Sequence, residues 1–231
     1  MNEIDLTRVL VIIPAFNEGK IIEDVISSVL SIGYSLVVVD DGSRDDTYSR
    51  IAKYPCFTLR HIINLGQGAA LQTGFDFGLN QTKWDVFVTF DADGQHRVED
   101  IEVMIKPILD NQVDVVLGSR FLGVDPENIP KSRRFFLKMA TLLTRIIARI
   151  KVTDTHNGFR AFSRQALSQI DLMHNDMTHA SEILSIIHDK NFNYVEVPVK
   201  IIYSKYSLAK GQTLLNGINI LWDMFFDEVK K

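Results

Sequence analysis

Residues 9–40, VLVIIPAFNEGKIIEDVISSVLSIGYSLVVVD, decide the fold. Two β-branched runs, VLVII (9–13) and LVVVD (36–40), flank a segment from Glu18 to Ile32. In that segment Ile21, Ile22, Val25, Ile26, Val29 and Leu30 recur at helical spacing. Both runs are apolar throughout instead of alternating, as parallel strands covered on two faces must be. Strand, helix and strand in this order make a βαβ unit. The pattern continues. FTLRHI (57–62), DVFVTF (85–90) and DVVLGS (114–119) read as strands, and 44–53, 68–79 and 98–111 as helices. The first 120 residues therefore predict an α/β fold, a doubly wound, mostly parallel sheet with helices on both faces. Such a sheet takes its ligand outside the carboxyl ends of its strands.

Past residue 120 the pattern changes. A loop with Gly123, Pro126 and Pro130 leads into a basic and apolar helix over 131–151, then a polar turn, DTHNGFRAF (154–162). A helix over 178–190, a strand pair near 194–203 and a final helix from Gly211 follow. No Gly-, Ser- or Pro-rich linker and no internal repeat interrupts the chain, so residues 1–231 read as one domain. Its second half, 121–231, closes over the ligand side of the first.

The composition suits that reading. Hydrophobic residues make up 46% and charged residues 23% of 231, which excludes disorder and fibrous repeats. A single cysteine, Cys56, excludes an internal disulfide and fits a reducing cytoplasm. The first ten residues carry early acids and no long apolar core, unlike a secretory leader. No run reaches the roughly 18 apolar residues that span a bilayer. The net charge of −4 argues against a nucleic-acid partner, yet it hides an asymmetry. Lys131, Arg133, Arg134, Lys138, Arg145, Arg149 and Lys151 lie in one stretch without an acid, and removing those seven from the 25 basic residues leaves 18 against 29 acids. Phe135, Phe136, Leu137, Met139, Leu142, Leu143, Ile146, Ile147 and Ile150 interleave with these cations. Such a face can rest on an anionic membrane surface, or pack in the core with its charges solvated.

The chemistry concentrates at strand ends. In VTFDADGQH, Asp91 and Asp93 follow directly on an apolar strand, with Gln95 two residues on. Carboxylates at i and i+2 with a carboxamide at i+4 offer hard oxygen ligands to Mg²⁺ or Mn²⁺, which would neutralise a diphosphate leaving group. A solvated, helix-capping acidic turn is the alternative. Asp40 and Asp41 close the second strand in VVVDDGS, where an acid can accept hydrogen bonds from a ribose or a base, or serve an Asp-Gly turn. In IPAFNEGK (13–20), Pro14 stiffens the strand exit and Asn17 can cap the helix. Gly66, Gly68 and Gly74 give G-x-G-x-x-L, with Leu71 where a dinucleotide loop needs glycine, which argues against a nicotinamide enzyme, although backbone N–H groups at this turn can still face a ligand.

Taken together, IPAFNE, VVVDDGS, GQGAALQTGF, DADGQH, GSRF and NGFRAF, in this order, resemble the GT-A family 2 glycosyltransferases. The nearer likeness is to the dolichol-phosphate mannose synthase type, over about residues 9–223. The resemblance implies a GT-A sheet whose residues 1–120 bind a nucleotide sugar, and an enzyme that transfers the sugar to a polyprenyl phosphate. Asp91, Asp93 and Gln95 would hold the metal. Pro14, Ala15, Asn17, Glu18, Asp40, Asp41, Gly68 and Ala92 would line the nucleotide-sugar pocket, with Lys210 closing on the donor. Arg120, Arg133 or Arg134, and Arg160 would meet phosphates, a task that suits the guanidinium fork. Glu182 would face the sugar. Phe16, Gly94 and Asn157 stand where tyrosine, leucine and serine are common in that family.

A lipid phosphate is already anionic and needs no general base, so a single in-line displacement with inversion follows; a hydroxyl acceptor would need one, with Asp154 and Glu182 as candidates. The expected location is the cytoplasm, peripheral at the inner face of the membrane, through 131–151 and the apolar stripe of 212–229. That stripe also suits a small membrane-protein partner or a homo-oligomer. Transfer to a glycan hydroxyl, and a nucleotide-sugar-binding subunit inactive without its membrane partner, are the competing readings.

Overall fold

The computed structural model describes residues 5–122, 141, 145, 148–155 and 157–202. Its centre is a seven-stranded sheet: β1 (Val9–Ala15), β2 (Ser35–Asp40), β3 (Phe57–Arg60), β4 (Val86–Thr89), β5 (Val115–Ser119), β6 (Arg160–Ser163) and β7 (Tyr194–Pro198). The spatial order is β3-β2-β1-β4-β6-β5-β7. All neighbours run parallel except β6, which pairs antiparallel with both β4 and β5.

The helices are α1 (Ile22–Ile32), α2 (Thr47–Ile51), α3 (Gln67–Leu79), α4 (Asp100–Leu109), α5 (Arg164–Leu167) and α6 (His179–Asp189). Every residue of β1 is buried, and its alternate side chains feed two cores. Val9, Val11 and Ile13 pack with Ile22, Val25, Ile26 and Val29 of α1 and with Ile101, Met104 and Ile105 of α4. Leu10 and Ile12 pack on the other face with Ala70, Leu71 and Phe75 of α3 and Ile183, Leu184 and Ile187 of α6. This two-sided burial is why the strands are apolar without alternation. At Gly74 of α3 a Cβ would lie 2.4 Å from Ile12 Cγ2, so glycine there lets the helix seat directly on the sheet.

Two expectations change. RAFS, placed above in a polar turn, is strand β6, wedged between β4 and β5. Four residues after a polar loop are too short for period-based reading, and their pairing is entirely long-range. The strand pair near 194–203 is one strand, β7, followed by a single antiparallel bridge from Ile201 to His96. Of the basic helix, Ala148 and Ile150 sit in the α3–α6 core, so Ile150 is not part of a membrane-facing surface. Its residues 131–140, like the final helix from Gly211, lie outside the described residues. No described helix is long and apolar enough to cross a membrane.

Candidate active site at the β1–β4 switch point

Between β1 and β4 the winding of the sheet reverses, and there the carboxyl ends of the strands splay to leave a crevice. A cavity of about 480 Å³ opens at this point, within the range of small-molecule sites. Pro14, Ala15, Phe16 and Glu18 reach it from the end of β1, and Asp41 from β2. Thr89, Asp91, Ala92 and Asp93 come from β4, Gly158 and Arg160 from β6, and Asp176, His179 and Ala180 from around the start of α6.

The exit of β1 is braced against the β2–α2 loop. Asn17 adopts φ 54°, a conformation asparagine tolerates, and its backbone N–H donates to Ser43 Oγ while its Oδ1 accepts from Arg44 N, both at 2.9 Å. Glu18 N donates to Thr47 Oγ1 at 2.8 Å. Asn17 is thus a loop brace and does not line the cavity. The two acids at the end of β2, its last residue Asp40 and the following Asp41, diverge as neighbours along an extended chain must. Asp40 is fully buried off the cavity, accepting from Ser43 N at 3.2 Å and facing Arg60 Nε at 3.0 Å. Asp41 lines the cavity, and its carboxylate accepts from Leu65 N, Gly66 N, Asn64 Nδ2 and His61 Nδ1 at 2.7–2.9 Å. It organises the β3–α3 loop as one wall. Gly68 adjoins that wall: its N donates to Asn175 O at 2.8 Å, and a Cβ there would lie 2.1 Å from His174 O.

Asp91 and Asp93 face the middle of the cavity. Asp91 Oδ2 accepts from His96 Nε2 at 2.9 Å, and Oδ1 from Gln67 Nε2 at 3.3 Å. Burial acts to raise the Asp91 carboxyl, but the charge and hydrogen bond of His96 hold it below the usual carboxylate value. The neighbouring Asp93 is pushed up, by burial first and then by the charge of Asp91. Gln95 donates from both its backbone N and its side-chain amide to Asp93, and it does not line the cavity. Opposite, a Cβ on Gly158 would stand 2.8 Å from both oxygens of Asp91, so only glycine allows this approach.

Two like charges at a cavity wall suit a divalent cation that completes its shell with substrate phosphate oxygens. Among the described residues, no group of three His, Cys, Asp or Glu side chains could hold an ion without such help. The donor set therefore fits Mg²⁺ or Mn²⁺ brought together with a diphosphate.

Arg160 is buried beside this pair. It donates to Asn157 O at 3.3 Å, Thr155 O at 3.4 Å and Ala180 O at 2.9 Å, and burial lowers its pKa to about 10. These carbonyls compensate the buried cation. Arg120 instead pairs with Asp154 at 2.6 Å, away from the cavity lining. Glu196 fixes that corner by accepting from Thr153 N and Asp154 N. Glu182 also stands off the cavity: its carboxylate accepts Met173 N at 2.8 Å and His174 N at 3.0 Å, holding the segment before α6. Arg133, Arg134 and Lys210 lie outside the described residues. Sequence reasoning missed His61, His96 and His179, whose partners are 20, 5 and 3 residues away and follow no motif spacing.

A strand-end carboxylate pair, a wall organised by Asp41 and a buried cation thus meet at the switch point of a sheet with the GT-A architecture. The family model for glycosyl transferase family 2 matches residues 10–171, and the chain belongs to that family. It is 31% identical to the UDP-N-acetylglucosamine–dolichyl-phosphate N-acetylglucosaminyltransferase of Methanococcus voltae, over 96% of this chain and 97% of that one. It is 33% identical to the dolichol-phosphate mannosyltransferase of Pyrococcus furiosus, over 92% of this chain and 60% of that longer one. The fold superposes on the Mycobacterium tuberculosis glucosyl-3-phosphoglycerate synthase with a TM-score of 0.72 at 19% identity, covering 95% of this chain and 78% of that one.

Proposed function

We propose that this enzyme transfers a sugar from a nucleoside diphosphate sugar to a polyprenyl phosphate, with inversion at the anomeric carbon. The observation that carries the reading is how its acids are used. Asp154 and Glu182, the carboxylates a hydroxyl acceptor would draw on as base, are both engaged elsewhere and outside the cavity. Asp176 does line it. Burial works to raise that carboxyl, but hydrogen bonds from Thr178 hold it below the usual range, which makes it a weak base. An acceptor that arrives as a phosphate needs none. The two relatives differ in donor sugar and share a dolichyl phosphate acceptor, so likeness supports the acceptor more firmly than the sugar.

In this reading the wall of Pro14, Ala15, Glu18 and Asp41 receives the nucleoside, and Asp91 and Asp93 stand at the diphosphate. They would hold Mg²⁺ or Mn²⁺, which supplies charge neutralisation for the departing nucleoside diphosphate. Arg160 keeps a fixed positive charge beside the same position, preorganised by its three carbonyls. The remaining task is positioning: the acceptor phosphate is held in line with the anomeric carbon while water is excluded. The basic stretch 131–147 would meet anionic headgroups from the cytoplasmic side, at about 1 kcal/mol per cation near the surface. Residues 212–229 would add a second membrane contact, or seat a small membrane protein or a second copy of the chain. The test incubates the protein with Mn²⁺, undecaprenyl phosphate and, separately, labelled UDP-N-acetylglucosamine, UDP-glucose and GDP-mannose. Label in the organic phase with one donor is expected. Nucleotide binding without lipid-phase label for any donor would contradict the acceptor assignment.

A further inference from the structure

The cavity holds a histidine that the functions assigned so far leave unused. His179 begins α6, lines the cavity and is 4% exposed. Its Nδ1 lies 2.6 Å from Asp176 O, a carbonyl that only accepts, so Nδ1 carries the ring proton. Burial holds its pKa below the usual histidine value, so the ring is neutral at neutral pH and Nε2 presents a lone pair. Among the described residues nothing donates to that atom. Two neighbouring polar groups are committed: Arg160 to its three carbonyls, and Thr89 Oγ1 to Gly158 O at 2.6 Å.

Position indicates the ligand. If the nucleoside lies against β1 and β2 and the diphosphate at Asp91 and Asp93, the sugar lies further along the cavity, over β6 and the start of α6. We propose that His179 is a donor-contacting residue whose Nε2 accepts a hydrogen bond from a hydroxyl of the donor's sugar, making it a determinant of which sugar is used. The inference rests on the donor assignment above and extends it to a named atom. A sugar analogue lacking that hydroxyl leaves Nε2 buried without a partner, the arrangement that discriminates most strongly in polar pockets.

The test compares His179→Phe, which keeps a ring without the acceptor, with His179→Gln, whose carbonyl oxygen restores one. Binding of free UDP or GDP and of UDP-N-acetylglucosamine, UDP-glucose or GDP-mannose is measured by calorimetry with Mn²⁺, using the donor that binds the unsubstituted enzyme. The expected result is about a tenfold loss of sugar-nucleotide affinity in His179→Phe, the scale of one lost hydrogen bond, with free nucleotide affinity within twofold of normal. His179→Gln should recover most of the loss. Equal weakening of nucleotide and sugar nucleotide would overturn the proposal, since His179 would then shape only the pocket. Unchanged binding with abolished turnover, and loss of the acid limb of the pH profile, would overturn it in favour of a general base for a hydroxyl acceptor. If the unsubstituted enzyme binds none of the three donors, the functional reading fails and this proposal with it.

Discussion

Replacing His96 by phenylalanine isolates what one supporting side chain contributes to the site. The imidazole is wedged between Phe90 and Phe159, with ring centroids 5.4 and 4.8 Å away, and Nε2 donates to Asp91 Oδ2 at 2.9 Å. Its Nδ1 is buried without a hydrogen-bond partner. Phenylalanine preserves the ring packing, removes the orphaned nitrogen and deletes the bond to Asp91 together with the charge that His96 sets beside it. A hydrogen bond to a charged group contributes about 1.5–3 kcal/mol, which corresponds to roughly 10–150-fold in an equilibrium constant. Loss of an outer partner of a metal-ligating side chain typically costs about 10–100-fold in metal affinity, the same range by an independent route. His96→Phe should therefore bind Mn²⁺ about 10–100-fold more weakly than the unsubstituted protein when titrated calorimetrically in saturating UDP. Its melting temperature without metal should change little, because relief of the orphaned Nδ1 offsets the bond lost to Asp91. Unaltered Mn²⁺ affinity in a folded His96→Phe protein would refute the assignment of Asp91 as a ligand oriented by His96.

Four further outcomes follow from the same geometry. Asp93→Asn relieves the repulsion between two half-buried carboxyls, so it should abolish sugar transfer without lowering the melting temperature in the absence of metal. Because the Asp93 pKa is raised, by burial and then by Asp91, protons compete for it above the ordinary aspartate range. Mn²⁺ affinity is therefore full well above that pKa and falls on acidification, approaching tenfold per pH unit below it; a pH-independent affinity would contradict this. Gly158→Ala drives a methyl into the Asp91 carboxylate and should weaken Mn²⁺ binding while circular dichroism stays native-like. Arg160→Met leaves three carbonyls without their cation and should lower unfolding free energy by about 3 kcal/mol or more, read by urea titration.

The strands were legible wherever burial on both faces forces continuous apolar runs, as in Val9–Ile13, and the helices wherever one face is buried, as in α1. β6 was not, because RAFS acquires its strand character from β4 and β5, partners about 74 and 45 residues away in sequence. At the site, Asp91 and Asp93 were readable because a carboxylate just past an apolar strand has to emerge at the sheet's edge. The acids that only position others were harder. Asp40 and Asp41 look equivalent in VVVDDGS, yet strand alternation sends one to Arg60 and the other to the β3–α3 loop. Glu182 carries helical spacing that places it near the cavity, but the backbone of Met173 and His174 claims its carboxylate. The three histidines were missed because what each does is set by which of its ring nitrogens meets a carbonyl or a carboxylate, and that depends on how the loops fold even where the partner is three or five residues away.

The most direct test of the central claim is the linkage in the product. The enzyme is incubated with Mn²⁺, the donor it accepts and undecaprenyl phosphate, and the organic-phase product is examined by proton and phosphorus NMR. The account predicts a sugar joined through a phosphodiester to the polyprenyl chain, with anomeric configuration opposite to that of the donor. A sugar joined to a hydroxyl, or a retained configuration, would contradict it.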